Sequence, residues 1–177
     1  MPFRSFLQRQ IACILLVIGS AMSSQSGAMS GGYDAPAIYE LTTQVILKGD
    51  VPCFFSTAMT DEDKGTRQRS VTVEPKQGEI AWHISEDHGS RPLPASADQC
   101  VKYGETWQAG EILAEPKPLQ YGMPYLVDVG ARYHYFGIFC LSRDSAGATL
   151  LTQWRMDEDI VCTEAPLNEP GKHPSAT

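Results

Sequence analysis

The residues of this chain with the most chemistry to offer are its cysteines. Five occur; Cys13 sits in an apolar N-terminal run, and Cys53, Cys100, Cys140 and Cys162 are spread over the remainder. A cysteine can act as nucleophile, metal ligand or half of a bridge. Metal sites call for close pairs such as C-x-x-C, and none is present. A catalytic thiolate needs a base and an electropositive niche, and no such signature surrounds any of the four. Other reactive types fare no better. Asp61-Glu62-Asp63-Lys64-Gly65 opens like a calcium loop, but Gly65 and Thr66 occupy its fifth and sixth positions. Thr72 stands twelfth, where a glutamate is required. His83, His88 and His134 lack ligand spacing, and His173 lies near the C-terminus. His134 reads as a structural strand residue. Ser145, in Arg143-Asp144-Ser145-Ala146-Gly147, lacks the first glycine of a nucleophile elbow. The expectation is therefore a non-enzyme with no catalytic residue, no metal and no cofactor.

The setting in which four thiols would persist comes from the N-terminus. Arg4 and Arg9 precede the apolar run Ile11–Ile18, which is too short to span a bilayer. Small residues ending at Ala21 and Ala28 offer cleavage sites, so residues 1–28 read as an export signal. Cys13 follows Gln10-Ile11-Ala12 at the start of the run, so no lipobox is formed and no lipid anchor or stable membrane insertion is expected. Even cysteine counts in exported domains read as disulfide frameworks, here two bridges in a periplasmic protein. The net charge is −7 for the whole chain. Removing residues 1–28 leaves 12 Lys+Arg against 21 Asp+Glu, or −9. Such acidity excludes an electrostatic case for nucleic acid or an anionic membrane surface and matches a basic protein partner or simple solubility.

The elements that position these residues alternate with period two. Tyr39, Leu41, Thr43, Val45 and Leu47 share one face of a strand. Lys48-Gly49-Asp50 turns into Val51, Cys53 and Phe55, which are expected to face inward together, with Pro52 marking an edge or turn. Val71 and Val73 alternate in another strand, and Ile80, Trp82 and Ile84 in the next. The stretch 86–99, rich in proline, is a long connection. A short strand is expected at 111–115. Tyr125, Val127 and Val129 then alternate, and Tyr133–Ser142 is apolar on both faces, as a central covered strand would be. Leu150, Thr152 and Trp154 mark the last strand. Trp82 and Trp154 are expected in the core, whereas Tyr103 and Trp107, in irregular sequence, are candidate exposed anchors for a partner.

No segment after the signal sustains a helical period. The reading is an all-β fold: an antiparallel, immunoglobulin-like β-sandwich over 37–165, after a flexible lead at 29–36 and before a disordered tail at 166–177. In such a sandwich a bridge from the second strand to the penultimate long strand crosses the core. That pairs Cys53 with Cys140 and leaves Cys100 for Cys162, although four cysteines permit three connectivities and sequence alone does not choose.

The ordered features "PCFF" (Cys53, Phe54), "IAWHI", "CVKYG" (Cys100, Tyr103, Gly104), "LQYGMPYLVDV" and "YFGIFCL" (Tyr135, Phe139, Cys140) span residues 37–142. Their order resembles the type VI secretion immunity periplasmic (lipo)proteins. The resemblance implies a β-sandwich that neutralises a secreted effector toxin, such as an envelope-attacking lipase, by covering its active site. The chain departs from that pattern in lacking a lipobox and in adding Cys162 and a longer tail. The expected partner is a secreted effector, gripped by Asp61, Glu62 and Asp63 and by Tyr103 and Trp107, with the loops at 60–68 and 86–99 at one end of the sandwich. The competing reading is a non-catalytic structural or assembly accessory of the envelope.

Overall fold

The computed structural model of the protein describes residues 41–87, 89 and 91–167. The export signal, the lead and nearly all of the expected tail, with Tyr39, His88 and His173, lie outside the described residues. β1 (Thr43–Lys48) and β2 (Val51–Ser56) pair antiparallel around the two-residue turn Gly49-Asp50, where Gly49 takes a φ of 68° that a side chain would resist. The short β5 (Val101–Lys102) joins the other side of β2 to complete a three-stranded sheet.

The second sheet holds β3 (Arg69–Pro75), β4 (Trp82–Glu86), β6 (Gly110–Ala114), β7 (Pro124–Gly130), β8 (His134–Arg143), β9 (Thr149–Met156) and β10 (Ile160–Pro166). Its order is β10-β9-β8-β7-β3-β4-β6, every pairing antiparallel. One helical turn, α1 (Asp61–Lys64), lies between β2 and β3. Among the described residues no helix is long and apolar enough to cross a membrane.

The core lies between the sheets. Val45 and Phe54 from the smaller sheet meet Val71, Val73, Trp82, Ile84, Val127 and Phe139 from the larger. Phe139 is placed 5.5 Å from Phe54 and stacks on Tyr125 at 5.3 Å. The sheets approach closely at Gly137: a Cβ there would lie 2.6 Å from the Thr43 carbonyl oxygen, so no larger residue fits without parting them. Beside it Thr43 Oγ1 donates to the Tyr135 carbonyl at 2.6 Å. An antiparallel β-sandwich with two disulfides is thus the fold, with Trp82 and Trp154 buried.

The bridges differ from the expected pairing. Cys53 joins Cys100, and Cys140 joins Cys162. The cause is parity. The turn after β1 has two residues, which sets Val45 opposite Phe54 and Ile46 opposite Cys53. Phe54 therefore faces the core, and Cys53 points with Phe55 and Ile46 to the outer face of its sheet, where Cys100 meets it. A one-residue change of register inverts every side chain of a strand. On β8, Tyr135, Phe139 and Leu141 face the core while Ile138 and Cys140 face outward. Cys53 and Cys140 thus point away from each other, and each bridge fastens the outside of its own sheet. Cys162 sits on β10, a strand the alternation did not reveal, and reaches Cys140 within a cluster of Ile138, Trp154, Leu126 and Ile160.

Candidate functional site

Three connections gather at one end of the sandwich because the strands that carry them run antiparallel: the link from β2 to β3, the link from β4 to β5, and the turn from β7 to β8. The first is pinned by Asp63. Although it stands in an acidic run, Asp63 is fully buried. Its Oδ2 accepts from Tyr135 Oη at 2.6 Å, from Thr60 N–H at 2.7 Å and from Thr60 Oγ1 at 3.1 Å. Burial works to raise its pKa, yet the bonds from Tyr135 and Thr60 and from the Tyr133 N–H outweigh it and hold the carboxyl below its usual range. Burial and the same carboxylate push the Tyr135 phenol up.

The other carboxylates of that turn are also engaged. Glu62 Oε2 accepts from Tyr133 Oη at 2.9 Å and lies 3.2 Å from Arg132 Nε. Asp61, exposed, pairs with Lys64, whose hydrogen bond and charge lower its pKa. Asp63 is therefore corrected from a surface contact to a buried anchor. Trp107 is corrected likewise: it is 9% exposed and belongs to the core, pressed against Gly110, where a Cβ would come within 2.8 Å of the Trp107 Cβ. Tyr103 is partly buried, edge-on to Trp82 at 5.4 Å. Its hydroxyl proton serves the carbonyls of Ala81 at 2.9 Å and Lys117 at 2.6 Å, and burial pushes its pKa up to about 12. It tethers the segment after β6 and is not a free anchor.

The second connection is held by arginines. Arg69 and Glu86 are direct partners on β3 and β4 and both point inward, 3.8 Å apart. Arg69 Nη1 also donates to the Arg91 carbonyl. Arg91 pairs with Glu105 and donates to the Cys100 carbonyl at 3.1 Å, while the Ser56 N–H donates to the Pro94 carbonyl at 2.9 Å. Residues 91–100 are thereby fixed across the end of β2, and the Cys53–Cys100 bridge closes the same stretch.

Between these two connections runs a groove of about 280 Å³. One wall is Met59, Thr60 and Lys64; the other is Pro92, Leu93, Ala95 and Gln99; Arg69 forms part of the floor. The loops expected at 60–68 and 86–99 do share one end, and here they build a joint surface. Among the described residues the charged side chains lining it are cationic. Apolar walls with two cations and one carboxamide suit recognition of a side chain or chain segment.

Comparison with protein-family models, with curated proteins and with solved structures finds no match to this chain.

The alternation carried a signal for Arg69 and Glu86. Arg69 shares parity with Val71 and Val73, and Glu86 with Trp82 and Ile84, so both faced the core as a pair. Met59, Leu93 and Gln99 lie in aperiodic sequence and gave no such sign. A second polar group occupies the outer face of the large sheet, where Asp128 Oδ2 lies 2.7 Å from His134 Nδ1. Burial raises the pKa of Asp128 and lowers that of His83 nearby, with the Asp128 charge opposing the latter. No three His, Cys, Asp or Glu side chains converge as a metal site among the described residues.

Proposed function

We propose that this is an exported binding protein that neutralises a secreted effector by occlusion, a periplasmic immunity protein of the type VI kind. The observation that carries the reading is the groove built jointly by the two long connections at one end of the sandwich. Both walls are fixed before any partner arrives, by Asp63 on one side and by Arg91 with the Cys53–Cys100 bridge on the other. Preorganised walls spare the entropy of ordering loops on binding, which is how a rigid inhibitor achieves tight association. Two disulfides fit an oxidising compartment, where effectors that attack the envelope act. The resemblance of the ordered motifs to immunity proteins supplies the class of partner.

The test is protection. The secreted protein encoded beside this one, directed to the periplasm, is expected to kill cells and to be harmless when this protein is co-expressed. Pro92→Asp, which places a charge at an exposed position on a groove wall, is expected to abolish protection while the protein accumulates normally. Killing undiminished by the wild-type protein, or a neighbour without toxicity, would defeat the reading.

A further inference from the structure

We infer that the β9–β10 hairpin is a redox-released strap: reduction of Cys140–Cys162 by a dithiol frees it from the outer face of the large sheet while Cys53–Cys100 stays closed. The strap is separate from the groove and does not depend on the effector reading.

The hairpin does not lie flat in its sheet. Thr152, opposite Cys140, is the last residue of β9 paired with β8. β10 stands two places from β8 in the sheet order, and strands two places apart in a flat sheet are separated by about 10 Å. Yet the Cα atoms of Cys140 on β8 and Cys162 on β10 are 5.7 Å apart. Beyond Thr152 the hairpin therefore leaves the plane, and because Cys140 faces outward it folds onto the outer face. The position of its tip agrees. Asp159, in the turn between β9 and β10, pairs with Lys76, which follows β3. β8 and β7 lie between β9 and β3, so the hairpin crosses both, a span of about 14 Å. Trp154 and Ile160 cluster with Ile138 and Leu126 of the sheet, and Trp154 is buried although it stands on an outer face.

Besides this cluster, the bridge is the main tie of the strap to β8. The Lys76–Asp159 pair at the tip is partly exposed, and such pairs hold weakly. Met156 and Val161 of the hairpin are exposed. The two bridges also differ in access. Cys53, Cys100 and Cys140 are buried, whereas Cys162 is half-buried on an edge strand. A thiolate attacks a disulfide at the sulfur it can reach. One thiolate of the dithiol bonds to Cys162 Sγ, the S–S bond breaks and Cys140 leaves as the thiolate. The second thiol of the reagent then attacks the mixed disulfide and releases Cys162. The reagent ends as a disulfide, and its two electrons reside on the two cysteines. Cys53–Cys100, closed in with Phe55 and Ile46, presents two buried residues to the same reagent and reacts later.

The test is graded reduction of the purified protein with dithiothreitol, followed by alkylation with iodoacetamide and peptide mapping by mass spectrometry. Cys140 and Cys162 are expected to be alkylated at least about tenfold faster than Cys53 and Cys100. Hydrogen–deuterium exchange of the half-reduced protein should rise at residues 153–166 and stay unchanged at 59–69 and 91–100. Lys76→Glu, which sets two acids against each other at the tip, is expected to speed reduction of Cys140–Cys162 about threefold and to leave Cys53–Cys100 as it was. Loss of Cys53–Cys100 first, or of both bridges together in the wild-type protein, would overturn the inference. So would hairpin exchange that stays the same once its bridge is cut. Should Lys76→Glu loosen the whole fold, both bridges would open together in the variant, and the order of reduction in the wild type decides.

Discussion

At the scale of single residues, the feature that governs the loop end is a buried carboxylate with every approach satisfied. Asp63 draws α1 down onto β8 through Tyr135 and closes the turn on Thr60. Hydrogen bonds to a charged group contribute about 1.5–3 kcal/mol each, and a donor left unpaired in the interior costs about as much. Asp63→Asn is therefore expected to lower stability by about 1–3 kcal/mol at neutral pH. The sign with pH follows from the depressed pKa of the folded carboxyl. Its stabilisation is complete above the unfolded value of 3.8 and is lost as pH falls through the lower folded value. Urea unfolding at pH 7 and near pH 2 should show a wide gap between wild type and variant at the first and a narrowed gap at the second. An unchanged gap would mean that the charge of Asp63 is not what holds the turn.

At the scale of elements, the two bridges fasten different things. Cys53–Cys100 closes 47 residues and ties the long connection to β2; Cys140–Cys162 closes 22 and ties β10 to β8. By loop closure alone the first is worth about 4 kcal/mol and the second about 3 kcal/mol. Cys53→Ser with Cys100→Ser is expected to lower the melting temperature and to loosen residues 91–100. Cys140→Ser with Cys162→Ser should cost slightly less and leave the groove intact, as amide exchange at 59–69 would report. Groove exchange altered equally by both pairs would contradict the assignment.

The strands were legible because half-buried faces impose alternation: Val71 and Val73, Trp82 and Ile84, Val127 and Val129 are all core. The pairing of the cysteines was hidden by a single residue in the turn after β1. Reading Lys48 as a turn residue sets Val45 opposite Cys53, whereas Lys48 pairs with Val51 in the strand. β10 escaped notice because Ile160–Pro166 has no clean face: most of it is exposed or half-buried, and its partner is the edge of β9. The groove was half legible. The positions of its loops followed from the order of strands, but the burial of Asp63 did not, because nothing in an acidic run marks which carboxylate a distant tyrosine will claim.

At the scale of the whole molecule, the sandwich divides its labour between ends. Around the Gly49-Asp50 turn, the far end is closed by surface contacts, with Arg143 over the Tyr121 ring at 4.7 Å and Tyr121 Oη 3.3 Å from Thr149 Oγ1. The loop end carries the preorganised groove. Each sheet is fastened on its outside, and the sheets hold to each other by the apolar core and by the close approach at Gly137. On the proposed function, a protein partner is gripped at the loop end. Hydrogen–deuterium exchange of the complex with the proposed effector tests this. Protection is predicted at residues 57–68 and 91–100, with β9 and β10 exchanging as in the free protein. Protection confined to β9 and β10, or to the outer face around Asp128 and His134, would contradict it.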